Sequence, residues 1–440
     1  MRFQTLLALS YFFQGFRGYI GTLMSIYFKE ELHLDPSVSS IIKTIAKQPW
    51  NFKILYGVLY DCKPYTKRFM IMSCSFILVG IVLMILTSVH GSVAVITIAL
   101  LILSLGGAFS DVIADGEMVR ISQKSENSDE LNAYLQSLSW TTFGIGGICG
   151  TLLGGTVVKY YGTAAYFIML LPFPIILIVV TLLYNQVPAS FCSIKLFGSK
   201  IVKVVIALQQ PKVFKPLIFV LIQNATGIGI GEGMNYFRLS IGMDAQILGI
   251  ADTFAYLGLI MGSILFNKYF SKTSIAKIIF ITTLISAAVS LLDLVQLYRW
   301  NIAIGISDLL FLIGYDVVQE VIGRLNMMPL MVLAAKFCPD AIEATMFATM
   351  MSIFNFTSDI GTLFGSYLLN WYDIREDNYV GMDKLIVLRA ILSCFPLFWL
   401  SYLKNTEYTQ IQQDIPLIPI KPSEIAPDSP RKRLVLNHED

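Results

Sequence analysis

Apolar positions in this chain come in long unbroken blocks, with polar residues gathered between them. The blocks fall near 6–28, 38–60, 69–89, 93–117, 131–155, 163–184, 213–238, 245–268, 274–296, 301–334, 341–370 and 384–403. Each exceeds the roughly 18 residues that, wound as a helix, cross about 30 Å of hydrocarbon. They predict an all-α membrane protein of twelve transmembrane helices. The block at 301–334 is longer than one crossing needs, which predicts a break inside it. The spacing also predicts an organisation: a six-helix half over 1–184, a linker over 185–212, a second six-helix half over 213–404 and a polar tail over 405–440. The linker is basic and amphipathic from Ile194 to Leu208, as expected of a segment lying along a membrane surface. The tail carries Pro416, Pro419, Pro422, Pro427 and Pro430 among polar residues, a disordered composition.

Composition agrees with the pattern. Of 440 residues, 55% are hydrophobic and 14% charged, against about 25% charged in soluble domains. The net charge of +2 points to no nucleic acid, because the basic residues sort into alternating loops. Segments on the side of the amino terminus hold Arg2, Lys63, Lys67, Arg68, Arg120, Lys124, five lysines between 195 and 215, Lys268, Lys272, Lys277, Lys336 and the tail's basic residues. The opposite side holds Lys29, Lys159, Arg238, Arg299, Arg375 and Lys384. The excess of Lys and Arg on one side predicts that both termini are cytoplasmic. No cleavable leader precedes the first block, and the plasma membrane is the expected location. The 6 cysteines form no CxxC pairing, so neither a disulfide framework nor a metal site is expected. His33, His90 and His438 are far apart, and no nucleophile or cofactor motif appears. Glycines 227, 229, 231 and 233 do not match a nucleotide loop and follow no strand; they read as a closely packed helix.

The informative residues are charges inside the apolar blocks. Asp111 and Asp115, four apart, project from one helical face. The pattern returns 205 positions later as Asp316 and Glu320. Gly150-Thr151-Leu152-Leu153-Gly154 returns 211 positions later as Gly361-Thr362-Leu363-Phe364-Gly365, and Gly57 as Gly262. The chain therefore reads as two halves repeated in one orientation, the architecture in which a midplane site opens alternately to either side. An ionised side chain at mid-span costs roughly 2.5–3.5 kcal/mol by insertion scales, so such residues should face a polar interior. Arg17, Lys43, Lys47, Asp115, Glu232 and Glu320 are the candidates to meet a substrate, with Asp115 and Glu320 also candidates to carry a coupling proton. Asp111 and Asp316 are expected to pair with basic loop residues. Lys53, Arg120 and Arg324 lie where snorkelling to the cytoplasmic boundary explains them, and Asp293 where it would be wet.

Tyr56-Gly57-Val58-Leu59-Tyr60-Asp61 with Lys67 and Arg68 resembles the loop between helices two and three of the major facilitator superfamily. Tyr27-Phe28-Lys29-Glu30-Glu31-Leu32-His33-Leu34-Asp35-Pro36 and Pro49-Trp50-Asn51-Phe52-Lys53 are similar to the folate–biopterin transporter family in particular. So are Gly107 through Asp115, Leu135-Gln136-Ser137-Leu138-Ser139-Trp140, and Gln319 through Arg324. The resemblance runs from about residue 10 to about 400. The family's acidic–basic cluster after its second Asp is replaced here by Gly116-Glu117-Met118-Val119-Arg120. Lys43 and Lys47 are also unusual for its second helix.

The resemblance implies a monomeric secondary transporter of folate- or biopterin-type pterins, with no cofactor. It also implies a conformational latch of Gly57, Asp61, Lys67 and Arg68, to which Asp111, Asp316 and Arg324 add. A pterin offers an N–H edge that a carboxylate accepts in two parallel bonds, and folate adds a carboxylate tail that Lys or Arg would neutralise. Cavity charges of both signs suit that substrate. They suit S-adenosylmethionine or an amino acid equally, and a transport-inactive receptor or scaffold with this fold also remains open.

Overall fold

A computed structural model of the chain describes residues 3–62, 65–88, 91–122, 128–185, 202, 204–270, 273–336 and 343–403. Among the described residues every regular element is helical. Among the described residues, seven stretches are long and apolar enough to cross a membrane by length and composition: Thr66–Thr87, Val93–Ser122, Tyr134–Leu183, Val213–Ser240, Ala245–Phe270, Ile275–Leu297 and Met382–Leu403. Tyr134–Leu183 doubles back at Gly162, whose φ of 79° takes the chain out of the helix. A glycine adopts that conformation at little cost. The outward faces of these stretches are apolar, with Leu86, Ile168, Leu182 and Ile264 all more than half exposed. Such a surface is stable against lipid rather than water.

Several helical paths are interrupted or charged. The first helix, Phe3–Phe16, tightens to a 3-10 turn at Arg17–Tyr19 and resumes at Ile20–Glu30. The second, Pro36–Lys47, gives way to a 3-10 turn at Gln48–Phe52 and continues as Lys53–Cys62. Pro49 lacks the N–H that an uninterrupted helix would use there. In the carboxy-terminal half Pro211–Thr226 and Gly231–Ser240 are separated by a non-helical stretch at 227–230. The gap is bridged from outside, since the Gly229 amide donates to the Gly361 carbonyl at 3.1 Å. The breaks at 17–19 and 227–230 occupy equivalent places in the repeat. The expected break in the long block falls at Gly305, φ 80°, between the short helix Trp300–Ala303 and the uninterrupted Asp308–Lys336.

The repeated glycine motif has the same packing task twice. A Cβ on Gly150 would lie 2.0 Å from the Phe16 carbonyl oxygen, and one on Gly361 would lie 2.5 Å from that of Asn224. Each glycine lets a backbone approach the broken helix of its own half, as small residues do between membrane helices. Gly57 and Gly262 differ. Gly57 faces Ala348 of the other half, whereas Gly262 faces Val321 and Arg324 of its own.

At the pole opposite the amino terminus the halves are tied together. Lys29 donates to the Glu376 carbonyl at 2.5 Å, Asp35 pairs with Arg375 at 2.9 Å, and Lys159 pairs with Asp244 at 3.0 Å. His33 meets the Glu376 carboxylate at 2.9 Å, and that hydrogen bond raises the imidazole pKa above its ordinary value. The amphipathic linker and the proline-rich tail fall largely outside the described residues, as does the side chain of Asp61.

Candidate functional site

In the amino-terminal half the acidic motif is already compensated. Asp111 accepts from Lys53 at 2.6 Å and from Gln14 at 3.0 Å, and Asp115 accepts from the Tyr11 hydroxyl at 2.5 Å. The partner of Asp111 is therefore a lysine of the second helix beside the Gln48–Phe52 turn, not a loop residue. Lys53 turns inward to that carboxylate, with its ammonium 4.7 Å from the Trp50 ring centre, and does not snorkel.

Two residues past Asp115, Glu117 is fully buried. It accepts from Tyr60 at 2.5 Å, Thr66 at 2.9 Å, Tyr184 at 2.6 Å and Arg120 at 2.8 Å. Arg120 is thus a partner of Glu117 rather than a snorkelling side chain. The replaced cluster after Asp115 has become a staple joining four helical segments of one half. Glu117 and Arg120 stand at i and i+3, a pairing the sequence spacing alone could have supplied.

The carboxy-terminal motif is bare. Among the described residues neither Asp316 nor Glu320 has a hydrogen-bond or ion-pair partner, and Glu320 is exposed. Glu320 packs at its Cβ against Gly258 of its own half, and the same helix reaches the other half at Arg324. One turn past Glu320, Arg324 is buried with its guanidinium 5.1 Å from the ring centre of Trp140 in the amino-terminal half. A cation tucked against an indole of the opposite half is not snorkelling, and lipid would offer it no such partner. Asp293 is only 2% exposed and is not wet. It accepts from Arg238 at 3.2 Å, Arg389 at 2.6 Å and Tyr315 at 3.0 Å.

Two other candidates neutralise each other. Lys43 and Glu232, from opposite halves, pair at 2.8 Å, with Ser39 donating to Glu232 at 2.7 Å and Lys43 donating to Ser25 at 2.5 Å. Breaking a buried pair strands the remaining charge, at a cost of about 3–5 kcal/mol. The pair therefore fastens the halves together in this conformation. Lys47, a turn away, is exposed and without a partner among the described residues. Arg17 is likewise without an ion-pair partner. It lies against Gly107, where a Cβ would come within 2.3 Å of its guanidinium, and 5.7 Å from the Trp50 ring centre. Asp252 accepts from Thr22 at 2.6 Å, and Asp359 accepts from Gln48 and Asn51 at 2.9 and 2.7 Å.

Of the expected latch, Gly57 packs against Ala348, Lys67 donates to the Leu182 carbonyl at 3.1 Å and Arg68 lies 4.9 Å from the Tyr65 ring centre. Lys67 and Leu182 belong to the same half. Trp50 and Trp140, quoted above only as parts of a resemblance, carry Arg17 and Arg324. Nothing in their spacing announces those contacts, which join residues far apart in the chain.

The arrangement joins two helical halves through a polar seam that holds charges of both signs without a direct ion pair among the described residues. Solved structures share the fold: a nucleoside transporter NupG has a TM-score of 0.70 at 13% identity, covering 92% of this chain and 100% of that one. A D-xylose–proton symporter also has a TM-score of 0.70, at 10% identity, covering 92% and 98% of the two chains. These likenesses show the fold, the one these membrane transporters share. The profile of the BT1 family matches residues 14–415, and the chain belongs to that family. It is 27% identical to the folate-biopterin transporter of Synechocystis sp. over 97% of this chain and 85% of the relative. It is 26% identical to probable folate-biopterin transporter 4 of Arabidopsis thaliana over 90% and 94% of the two chains. Folate transporter 1 of Plasmodium falciparum is 23% identical over 86% and 74%.

Proposed function

We propose that this protein moves folate- or biopterin-type pterins across a membrane by alternating access, between two six-helix halves spanning 1–184 and 213–404. Both termini are cytoplasmic, the twelve crossings are those of the apolar blocks, and the working unit is a monomer in the plasma membrane. The names of the relatives favour this substrate class over other zwitterions.

The observation that carries the reading is the division across the seam of charges that lack a direct ion pair, with Arg324 near Glu320, Arg238 near Asp316 and Asp111 near Arg17 as their nearest opposite charges. Arg17 and Lys47 on one side, and Asp316 and Glu320 on the other, have no ion-pair partner among the described residues. Uncompensated charge inside a membrane protein is costly and is retained where function uses it. The cations offer charge to a carboxylate tail, and the carboxylates offer acceptors to a pterin N–H edge. Asp115, held by a single hydroxyl, and Glu320, held by none, are the groups available to carry a coupling proton. Lys43 with Glu232 serves closure on the far side rather than direct contact with substrate.

Uptake of labelled folate or biopterin into a transporter-deficient cell tests the reading. Saturable uptake that each unlabelled compound competes away is expected. Uptake no greater than the empty-vector control for both compounds would refute it.

A further inference from the structure

Two indoles sit in the seam, and each has a guanidinium upon it. The Arg17–Trp50 stack lies within one half, and Trp50 has Lys53 at its ring as well, 4.7 Å away. Trp50 is thus committed to two cations. Trp140 differs. Its ring contacts Arg324 at 5.1 Å and Phe143 edge-on at 5.8 Å, yet 37% of the residue stays exposed. That exposed indole is not on the lipid face, because the cation resting on it comes from the opposite half and is itself 9% exposed.

The surroundings form a continuous aromatic wall. Phe143 contacts Tyr256 at 5.9 Å, and the Tyr256 hydroxyl reaches the space over Gly18, next to Arg17. One end of the wall therefore carries Trp140 with Arg324 and, one helical turn away, the unpartnered and exposed Glu320. The other end carries the unpartnered Arg17.

From this geometry we propose that Trp140 is a specificity-determining residue, the platform on which the flat bicyclic ring of the substrate stacks while Glu320 accepts from the donor edge of that ring. Arg324, held against the indole, fixes the orientation of Trp140 and acts as a positioning residue. The carboxylate tail of a folate then points along the wall toward Arg17. An aromatic base stacked on a planar side chain is sensitive to loss of that side chain, because stacking needs a π face rather than bulk alone.

This inference rests on the pterin reading, and its test separates the two. Purified full-length protein is titrated with biopterin, which has the ring and no carboxylate, and with p-aminobenzoylglutamate, which has the tail and no pterin. Trp140→Leu should weaken biopterin by about tenfold or more, while Trp140→Phe weakens it by about threefold or less and p-aminobenzoylglutamate is held alike by all three proteins. Full biopterin affinity in Trp140→Leu would overturn the platform. So would an equal loss of both ligands, which is the signature of a structural role. Unsubstituted protein that binds neither compound would overturn the pterin reading and the platform together; binding that ignores the leucine substitution overturns the platform alone.

Discussion

The same acidic motif occurs twice, and the two copies live in opposite circumstances. In the amino-terminal half Asp111 has Lys53 and Gln14, and Asp115 has Tyr11. In the carboxy-terminal half Asp316 and Glu320 have no such partners among the described residues. Duplication supplied both pairs of carboxylates. The helices around them decided that one pair would hold a half together and the other would remain available. A charge that its own protein neutralises is part of the scaffold; one left bare at a seam between moving halves is where a solute can make a difference.

Stability separates the copies most sharply. Lys53→Ala strands Asp111 in a largely buried position and should cost about 3–5 kcal/mol in denaturant unfolding of the purified protein. Replacing both, as Lys53→Met with Asp111→Leu, should recover stability to within about 1–2 kcal/mol of the unsubstituted protein. Failure of the double variant to recover would mean that Asp111 owes its burial to something other than Lys53. Asp316→Asn, by contrast, should change unfolding by no more than about 0.5 kcal/mol, since no ion pair is lost. A large loss there would erase the contrast between the copies.

The smallest effect belongs to the far pole. The hydrogen bond to Glu376 raises the His33 pKa, so the imidazolium contact is fully present below the ordinary histidine value of about 6.5. It is lost as pH rises through the raised value. The contact joins the halves, so alkaline pH should loosen closure there. Asp377 and Glu31 add to the same field, and desolvation opposes it. Labelling of Ser37→Cys, taken at each pH relative to the thiolate-driven rate of the unfolded protein, should increase modestly as pH rises above about 6.5, and that relative increase should vanish in His33→Ala. An equal increase in that variant would assign the effect to another group.

The large features were legible because they depend on local periodicity. Apolar runs, the four-residue spacing of Asp111 and Asp115 and its return at Asp316 and Glu320 all follow from what a helix does to neighbouring residues. The Glu117–Arg120 pair obeys the same spacing, yet the position of Arg120 suggested snorkelling instead. What was not legible is who meets whom across the bundle. Tyr11 and Asp115, Lys53 and Asp111, Lys43 and Glu232, and Arg324 and Trp140 are joined by packing between helices distant in sequence, and residue spacing carries no record of it. Asp293 illustrates the consequence: its position suggests solvent, yet Arg238, Arg389 and Tyr315 close around it. The helix breaks at 48–52 and 227–230 were not legible: glycines 227, 229, 231 and 233 suggest a closely packed helix, yet the chain leaves the helix over 227–230, and the 3-10 turn at Gln48–Phe52 had no reading in the sequence.

The most direct test of the central claim is equilibrium binding of biopterin to Glu320→Gln beside the Lys53→Met, Asp111→Leu double variant. The bare carboxylate should matter and the compensated one should not: a loss of about tenfold or more in Glu320→Gln, against a change within about threefold in the double variant. Equal affinity of Glu320→Gln and unsubstituted protein, or a loss confined to the double variant, would contradict it.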